Sequence, residues 1–309
     1  MRKTITVIAV LIVLVLIGVG IVQYVNTSDD SDFIGQPGEP TGTETTEPPV
    51  QPDWCPAVEV IAAPGTWESA ANDDPINPTA NPLSFMLSIT QPLQERYSAD
   101  DVKVWTLPYT AQFRNINSQN EMSYDDSRNE GTAKMNEELI NTHNECPATE
   151  FIIVGFSQGA VIAGDVAAQI GSEQGVIPAD SVRGVALIAD GRREPGVGQF
   201  PGTFVDGIGA EVTLQPLHLL VQPIVPGATM RGGRAGGFGV LNDRVQDICA
   251  PNDAICDAPV NVGNALDRAL AMVSANGVHA LYATNPDVFP GTTTNAWVVD
   301  WATNLIDNG

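Results

Sequence analysis

Apolar and polar positions along the chain fall into short blocks whose period switches between two and nearly four. Ala57 to Ala63 and Val102 to Leu107 are short and rich in β-branched residues, and the second alternates apolar with polar, so both predict strands. Phe151 to Val154 is apolar at every position, the pattern of a strand buried on both faces, and Ser181 to Ala189 predicts another. Ala160 to Ile170 carries small and apolar residues at helical spacing with no proline. Leu83 to Tyr97 predicts a helix broken or kinked at Pro92, Gly131 to Asn144 an amphipathic helix, and Val262 to Asn276 a further one. Asn72 to Pro82 reads as a loop. Glu194 to Val240, rich in Gly and Pro, has no clear period, and its apolar run from Leu214 to Val225 is interrupted by Pro216 and Pro223. Strands alternating with helices predict one α/β domain, residues 53–309, built on a parallel sheet covered on both faces.

The first 25 residues do not belong to that pattern. Arg2 and Lys3 precede an apolar run from Ile5 to Val22, which is close to the length that crosses a bilayer. The run ends in Val22-Gln23-Tyr24-Val25-Asn26, without a small-x-small cleavage site. Residues 1–25 therefore predict an uncleaved single-pass anchor with the following chain outside the cytoplasm, secretion after cleavage being the alternative. Residues 26–52 contain Asp, Glu, Pro, Thr, Ser and Gly but no Lys or Arg, and predict an extended, disordered tether.

The formal net charge is −23, and two of the chain's 14 basic residues are Arg2 and Lys3. So acidic a chain argues against nucleic acid and against a basic patch for anionic lipid. The four cysteines, Cys55, Cys146, Cys249 and Cys256, predict two disulfides in an exported chain. Three pairings exist. Cys249 and Cys256 bracket a turn, and pairing them leaves Cys55 with Cys146. No C-x-x-C or His cluster suggests a metal, and no cofactor is expected.

Candidate chemistry lies where the buried strand meets the small-residue helix. Gly155-Phe156-Ser157-Gln158-Gly159 is a G-x-S-x-G in the strand-to-helix setting of a nucleophile elbow. The pentapeptide alone is equally read as a glycine-rich turn. A serine nucleophile needs a base, and the histidines are His143, His218 and His279. His218 lies in an apolar run and reads as a partly buried, satisfied residue. His279 follows the predicted Val262–Asn276 helix, so a loop would present it, and the chain order Ser, acid, His favours it. The orienting acid then comes from Asp190, Asp206, Asp243, Asp247, Asp253, Asp257 or Asp267. Asp253 stands out because the Cys249–Cys256 turn would hold its direction, although an Asn-Asp pair is also an ordinary turn.

Cys55-Pro56-Ala57-Val58-Glu59-Val60 leading to Gly65-Thr66-Trp67-Glu68, then Gly155 to Ala160, then Cys249-x-x-x-Asp253-x-x-Cys256, then His279-x-x-Tyr282, together resemble the cutinase family. The likeness is strongest to its membrane-anchored actinobacterial branch. It spans Asp53 to the end, and four blocks in this order are far more specific than any one. The resemblance implies an α/β-hydrolase fold with Ser157 as nucleophile, His279 as general base and acid, and Asp253 as its orienter. It also implies an oxyanion hole from the N–H groups of Gln158 and Thr66, and the same cysteine pairing. Pro64 departs from the arginine that many members carry before the glycine.

The activity so implied is serine carboxylester hydrolysis of acyl esters of envelope lipids, with phospholipase or thioesterase action in the anchored branch. An acyltransferase would use the same three side chains, and a silent envelope-binding protein is the reading from another class. The expected partners are an acyl-ester or lipid substrate and the membrane, with the chain itself a monomer. Leu83 to Leu87 and Leu217 to Val225 could line an acyl groove or simply be core.

Overall fold

Five strands form one sheet in the computed structural model: β1 (Val58–Ala63), β2 (Val102–Thr106), β3 (Glu150–Phe156), β4 (Val182–Ile188) and β5 (Val245–Ile248). Their order is β2-β1-β3-β4-β5, and every neighbouring pair is parallel. The structure describes residues 51–260 and 277–309. The expected anchor, nearly all of the tether, the Val262–Asn276 helix and Asp267 lie outside the described residues. Among the described residues no helix is long and apolar enough to cross a membrane.

Side chains alternate across a strand, and both faces of this sheet are dry. On one face Val58, Val60 and Ala62 of β1 pack with Met86, Ile89 and Leu93, and with Val298 and Ala302. These come from the start and body of α1 (Leu87–Arg96) and from the C-terminal helix. On the other face Ile61 and Ala63 pack with Met135 and Leu139 of α2 (Tyr124–Glu145) and with Ile162 and Val166 of α3 (Gln158–Gly171). Two covered faces explain why β3 carries no polar alternation.

The sequence patterns find these elements with instructive misses. Helix α1 begins four residues later than expected and runs through Pro92 unbroken. Helix α2 begins seven residues earlier than expected, because Ser123 caps it by accepting from Asp126 N at 3.1 Å. Such a cap is worth about 1 kcal/mol. The polar first turns, Tyr124 to Glu130, hide this from any hydrophobic period. Strand β5 and the C-terminal helix were not anticipated. The Leu214–Val225 run is divided between the end of α4 (Ala210–Leu214), a 3-10 turn and α5 (His218–Val221). Leu219 and Leu220 are exposed there, whereas Val221, Ile224 and Val225 are buried in a small core of their own. The C-terminal helix, α6 (Thr294–Asn308), is capped by Thr293.

Both expected disulfides are present, Cys55–Cys146 and Cys249–Cys256. The first ties the chain just before β1 to the chain just before β3, at the amino edge of the sheet. The second closes a loop directly after β5, at the carboxyl edge.

Glu59 breaks the apolar pattern of β1. It is fully buried, with Lys103 Nζ 3.0 Å from Oε1, and Glu138 shares the same ammonium. Burial raises its pKa to about 8, with Lys103 opposing the rise and Glu138 adding to it. A carboxyl raised in this way binds its proton more tightly folded than unfolded. Its contribution to stability is full below the ordinary value and is lost as pH climbs towards the raised one. In thermal melts between about pH 5 and 8.5, wild type is expected to lose Tm relative to Glu59→Gln as pH rises. Parallel Tm curves would remove Glu59 as the source of any alkaline weakening.

Candidate active site

In a parallel sheet all carboxyl ends lie on one edge, and three of the expected residues enter from there. Ser157 joins β3 directly to α3 with φ 54 and ψ −117. A non-glycine residue in such a region stores on the order of 1–3 kcal/mol of strain. Main-chain bonds hold it there: Ser157 N donates to Ile188 O at 2.8 Å, and Ser157 O accepts from Val161 N at 3.1 Å. The turn also needs an absent side chain two residues later. A Cβ on Gly159 would lie 2.0 Å from the carbonyl oxygen of Ala63.

His279 opens a 3-10 turn, His279–Leu281, rather than the open loop expected for it. Its Nε2 is 2.9 Å from Ser157 Oγ, and its Nδ1 is 2.9 and 3.1 Å from the two oxygens of Asp253. A carboxylate only accepts, so Nδ1 carries the hydrogen and Nε2 is left to accept from the serine hydroxyl. The imidazole lies against Phe156, ring centroids 5.3 Å apart and nearly parallel.

Asp253 is fully buried inside the Cys249–Cys256 loop. Its Oδ1 also accepts from Ile255 N at 2.9 Å, and its Oδ2 from the Tyr282 hydroxyl at 2.7 Å. That hydroxyl in turn accepts from Ala250 N at 2.9 Å. Burial, then the Asp253 charge, raise the Tyr282 phenol well above its ordinary pKa, so it remains a donor. Tyr282 belonged to the sequence block around His279, but nothing in the sequence assigned it a partner.

Thr66 and Gln158 also meet here. Thr66 Oγ1 donates to Gln158 Oε1 at 3.3 Å, and Gln158 Nε2 donates to Ser127 Oγ at 3.2 Å. Pro64, standing where an arginine is common, accepts from the Tyr109 hydroxyl at 2.7 Å through its carbonyl. The remaining candidates are engaged elsewhere. Asp190 pairs with Arg234 and Asp247 with Arg193. Asp257 accepts from Gly207 N and Asn252 N, and Asp243 from Gln199. Asp206 is exposed. His143 occupies the last turn of α2, and His218 is half-buried beside Gln222.

A cavity of about 350 Å³ opens over Ser157 and His279. Its apolar wall includes Leu83, Phe85, Phe113, Val161, Met230 and Ile255, and Glu68 and Glu211 also reach it. The Leu83–Leu87 segment thus contributes two lining residues. The Leu217–Val225 segment contributes none, because α5 turns its exposed leucines away and buries the others in its own cluster. Phe113, Tyr124 and Met230 went unmarked by sequence because they come from aperiodic segments that converge only in three dimensions.

The profile of the cutinase family matches residues 54–281. The chain belongs to the cutinase family. Consistent with that, it is 99% identical over 309 residues to a protein of Corynebacterium glutamicum described as "Carboxylesterase Culp6 homolog", covering 100% of both chains. Family and relative together make it an ester-hydrolysing enzyme. Two solved structures of acetyl xylan esterase, one an iodinated complex, share its fold at 17% identity. Each match covers 82% of this chain and 99% of that one, with TM-scores of 0.51 and 0.50.

The Cys249–Cys256 loop of this cutinase-family enzyme predicts a separation of activity from stability. Its short span restricts the unfolded chain by only about 2 kcal/mol, yet it encloses Asp253. The double variant Cys249→Ser, Cys256→Ser is expected to lose roughly 10–100-fold in kcat, as small misplacements of reacting groups do. Ester turnover measured beside a thermal melt checks this. Wild-type kcat in the double variant would show that the loop holds Asp253 without the bridge.

Proposed function

We propose that this chain is a serine carboxylester hydrolase acting on acyl esters of envelope lipids, with Ser157, His279 and Asp253 as its catalytic residues. The observation that carries the reading is the continuous hydrogen-bonded path from Ser157 Oγ through His279 to Asp253 at the floor of an apolar cavity. His279 Nε2 takes the hydroxyl proton as Ser157 Oγ bonds to the ester carbonyl carbon. Asp253 keeps the imidazole in the accepting tautomer and stabilises its charged form. The carbonyl oxygen, now negative, is met by the main-chain N–H groups of Gln158, at the first turn of α3, and of Thr66. Collapse expels the alcohol, which receives its proton from His279. Water activated by the same nitrogen then releases the acid and restores Ser157.

Apolar walls favour an acyl chain over a polar acyl group. We also read residues 1–25 as an anchor holding the domain on the outer side of the membrane, which the two disulfides support because they persist outside the cytosol. In cell fractionation, a chain lacking residues 1–25 but exported by another signal should move from the membrane to the soluble fraction. Retention in the membrane would end that reading.

Ser157→Ala is expected to lower kcat on the order of 10⁶-fold, with His279→Ala close to it and Asp253→Asn less severe. A fluorophosphonate probe should label wild type and leave Ser157→Ala unlabelled. Labelling of Ser157→Ala, or none of wild type, would sink the assignment.

A further inference from the structure

Glu68 closes the Gly65-Thr66-Trp67-Glu68 block and reaches the cavity, yet the reaction as written gives it no task. Its Oε2 accepts from Gly65 N at 2.9 Å and its Oε1 from Phe85 N at 2.5 Å. Its own N–H donates to Gly65 O at 3.1 Å, closing a four-residue turn in which Thr66 is second and Trp67 third. Trp67 has φ 65, a left-handed conformation that turns of this kind normally give to glycine. A tryptophan persists there only under outside restraint. Its Nε1 donates to the Glu121 carboxylate at 3.0 Å, and its carbonyl accepts from Asn81 Nδ2 at 3.1 Å.

The turn also presses on the elbow. A Cβ on Gly65 would come within 2.9 Å of the Phe156 ring and 3.3 Å of Ser157 Cβ. On its other side, the carboxylate holds the backbone of Phe85, whose ring packs against Phe156 at 4.8 Å and Tyr282 at 6.2 Å. Phe156 is the ring on which the His279 imidazole stacks. One half-buried carboxylate therefore ties the strained turn carrying Thr66 to the aromatic wall that seats His279.

We propose that Glu68 is a positioning residue whose ionised carboxylate, by accepting from Gly65 and Phe85 together, holds the Thr66 N–H in register with the oxyanion formed at Ser157. This rests on the ester-hydrolase reading of Ser157. The two main-chain groups that meet Glu68 are donors, one to each oxygen, so both oxygens must accept. Protonation, or replacement by glutamine, makes one end a donor facing an N–H, and one of the two bonds is lost. Burial raises the Glu68 pKa, while the Gly65 and Phe85 N–H groups, Ser84 and His279 lower it, for a net rise. Its titratable neighbours are His279 and Tyr109. The brace is thus complete above that raised pKa and is lost as pH falls through it. Glu68→Gln imitates the protonated state at every pH.

The test follows hydrolysis of p-nitrophenyl butyrate by the full chain as wild type, Glu68→Gln, Glu68→Asp and Ser157→Ala, each with a thermal melt. At about pH 8 Glu68→Gln should lose roughly 10–100-fold in kcat, up to the effect of losing one oxyanion donor, with KM within about threefold. That deficit should shrink as pH is lowered, because wild type then loses the same bond. Glu68→Asp keeps the charge but is one methylene short, and should fall between the two. A Glu68→Gln kcat within about twofold of wild type, or a deficit constant at all pH, would overturn the proposal and leave Glu68 a purely structural acid. If Glu68→Gln does not fold, a wild-type kcat in Glu68→Asp overturns it equally. Full activity in Ser157→Ala would instead remove the underlying hydrolase reading, and so is distinguishable from failure of the brace alone.

Discussion

Parallel pairing of β3 with β1 on one side and β4 on the other puts the carboxyl ends of all three strands on a single edge. From β1 the chain leaves into Gly65 and Thr66, from β3 into Ser157, and from β5, beyond β4, into the loop holding Asp253. No side chain needs to reach far, because the sheet itself brings the loops together. The two faces are covered by α1 and α6 and by α2 and α3, so the strands are apolar on both sides and their register is strongly specified. Strain at Ser157 persists because that register over-determines it.

The long Gly- and Pro-rich excursion between β4 and β5 meets the sheet at a bridge of Gln199 with Gln246 of β5, and ion pairs hold much of the remainder. Asp165 on α3 meets Arg192 from the start of the excursion and Arg231 and Arg234 from its later part. Burial works to raise the Asp165 pKa, but Arg234, Arg231 and Arg192 outweigh it and hold the carboxyl at about 2. Arg231 also pairs with Glu211, which accepts from the Tyr124 hydroxyl at 2.6 Å. The buried Arg193 donates to the carbonyls of Gly207 and Val205 beside Asp247 of β5. Removing one member of such a buried pair leaves an uncompensated charge, at a cost of about 3–5 kcal/mol. In this way Tyr124, Glu211 and Met230 are kept as one side of the cavity although they come from two helices and a loop far apart in the chain.

Polar groups around the reacting edge are arranged by the same economy. Asp253, Tyr282 and Gln158 are each buried, and each has its donors and acceptors matched. The His279 imidazole bonds to Asp253 and packs against Phe156 and Tyr282. Rigid, matched surroundings of this kind suit the proton transfer proposed for Ser157 and His279, since a reorienting group would spend its advantage on reordering.

Local order wrote much of this molecule into its sequence. Runs such as Phe151 to Val154 admit one solution when both faces must be dry, and Gly155 is required by the carbonyl of Gly159 only four residues on, although the need for Gly159 comes from the distant carbonyl of Ala63. The spacing of Cys249, Asp253 and Cys256 likewise pairs residues that are near neighbours along the chain. Tertiary structure alone decided the rest. Strand β5 is four residues long and becomes a strand only beside β4. The cavity wall joins residues as far apart in the chain as Leu83 and Ile255, with Phe113 and Met230 between them, and no period links such residues. Glu68 is a glutamate among many in an acidic chain until two main-chain N–H groups, from Gly65 and Phe85, close upon it in the fold.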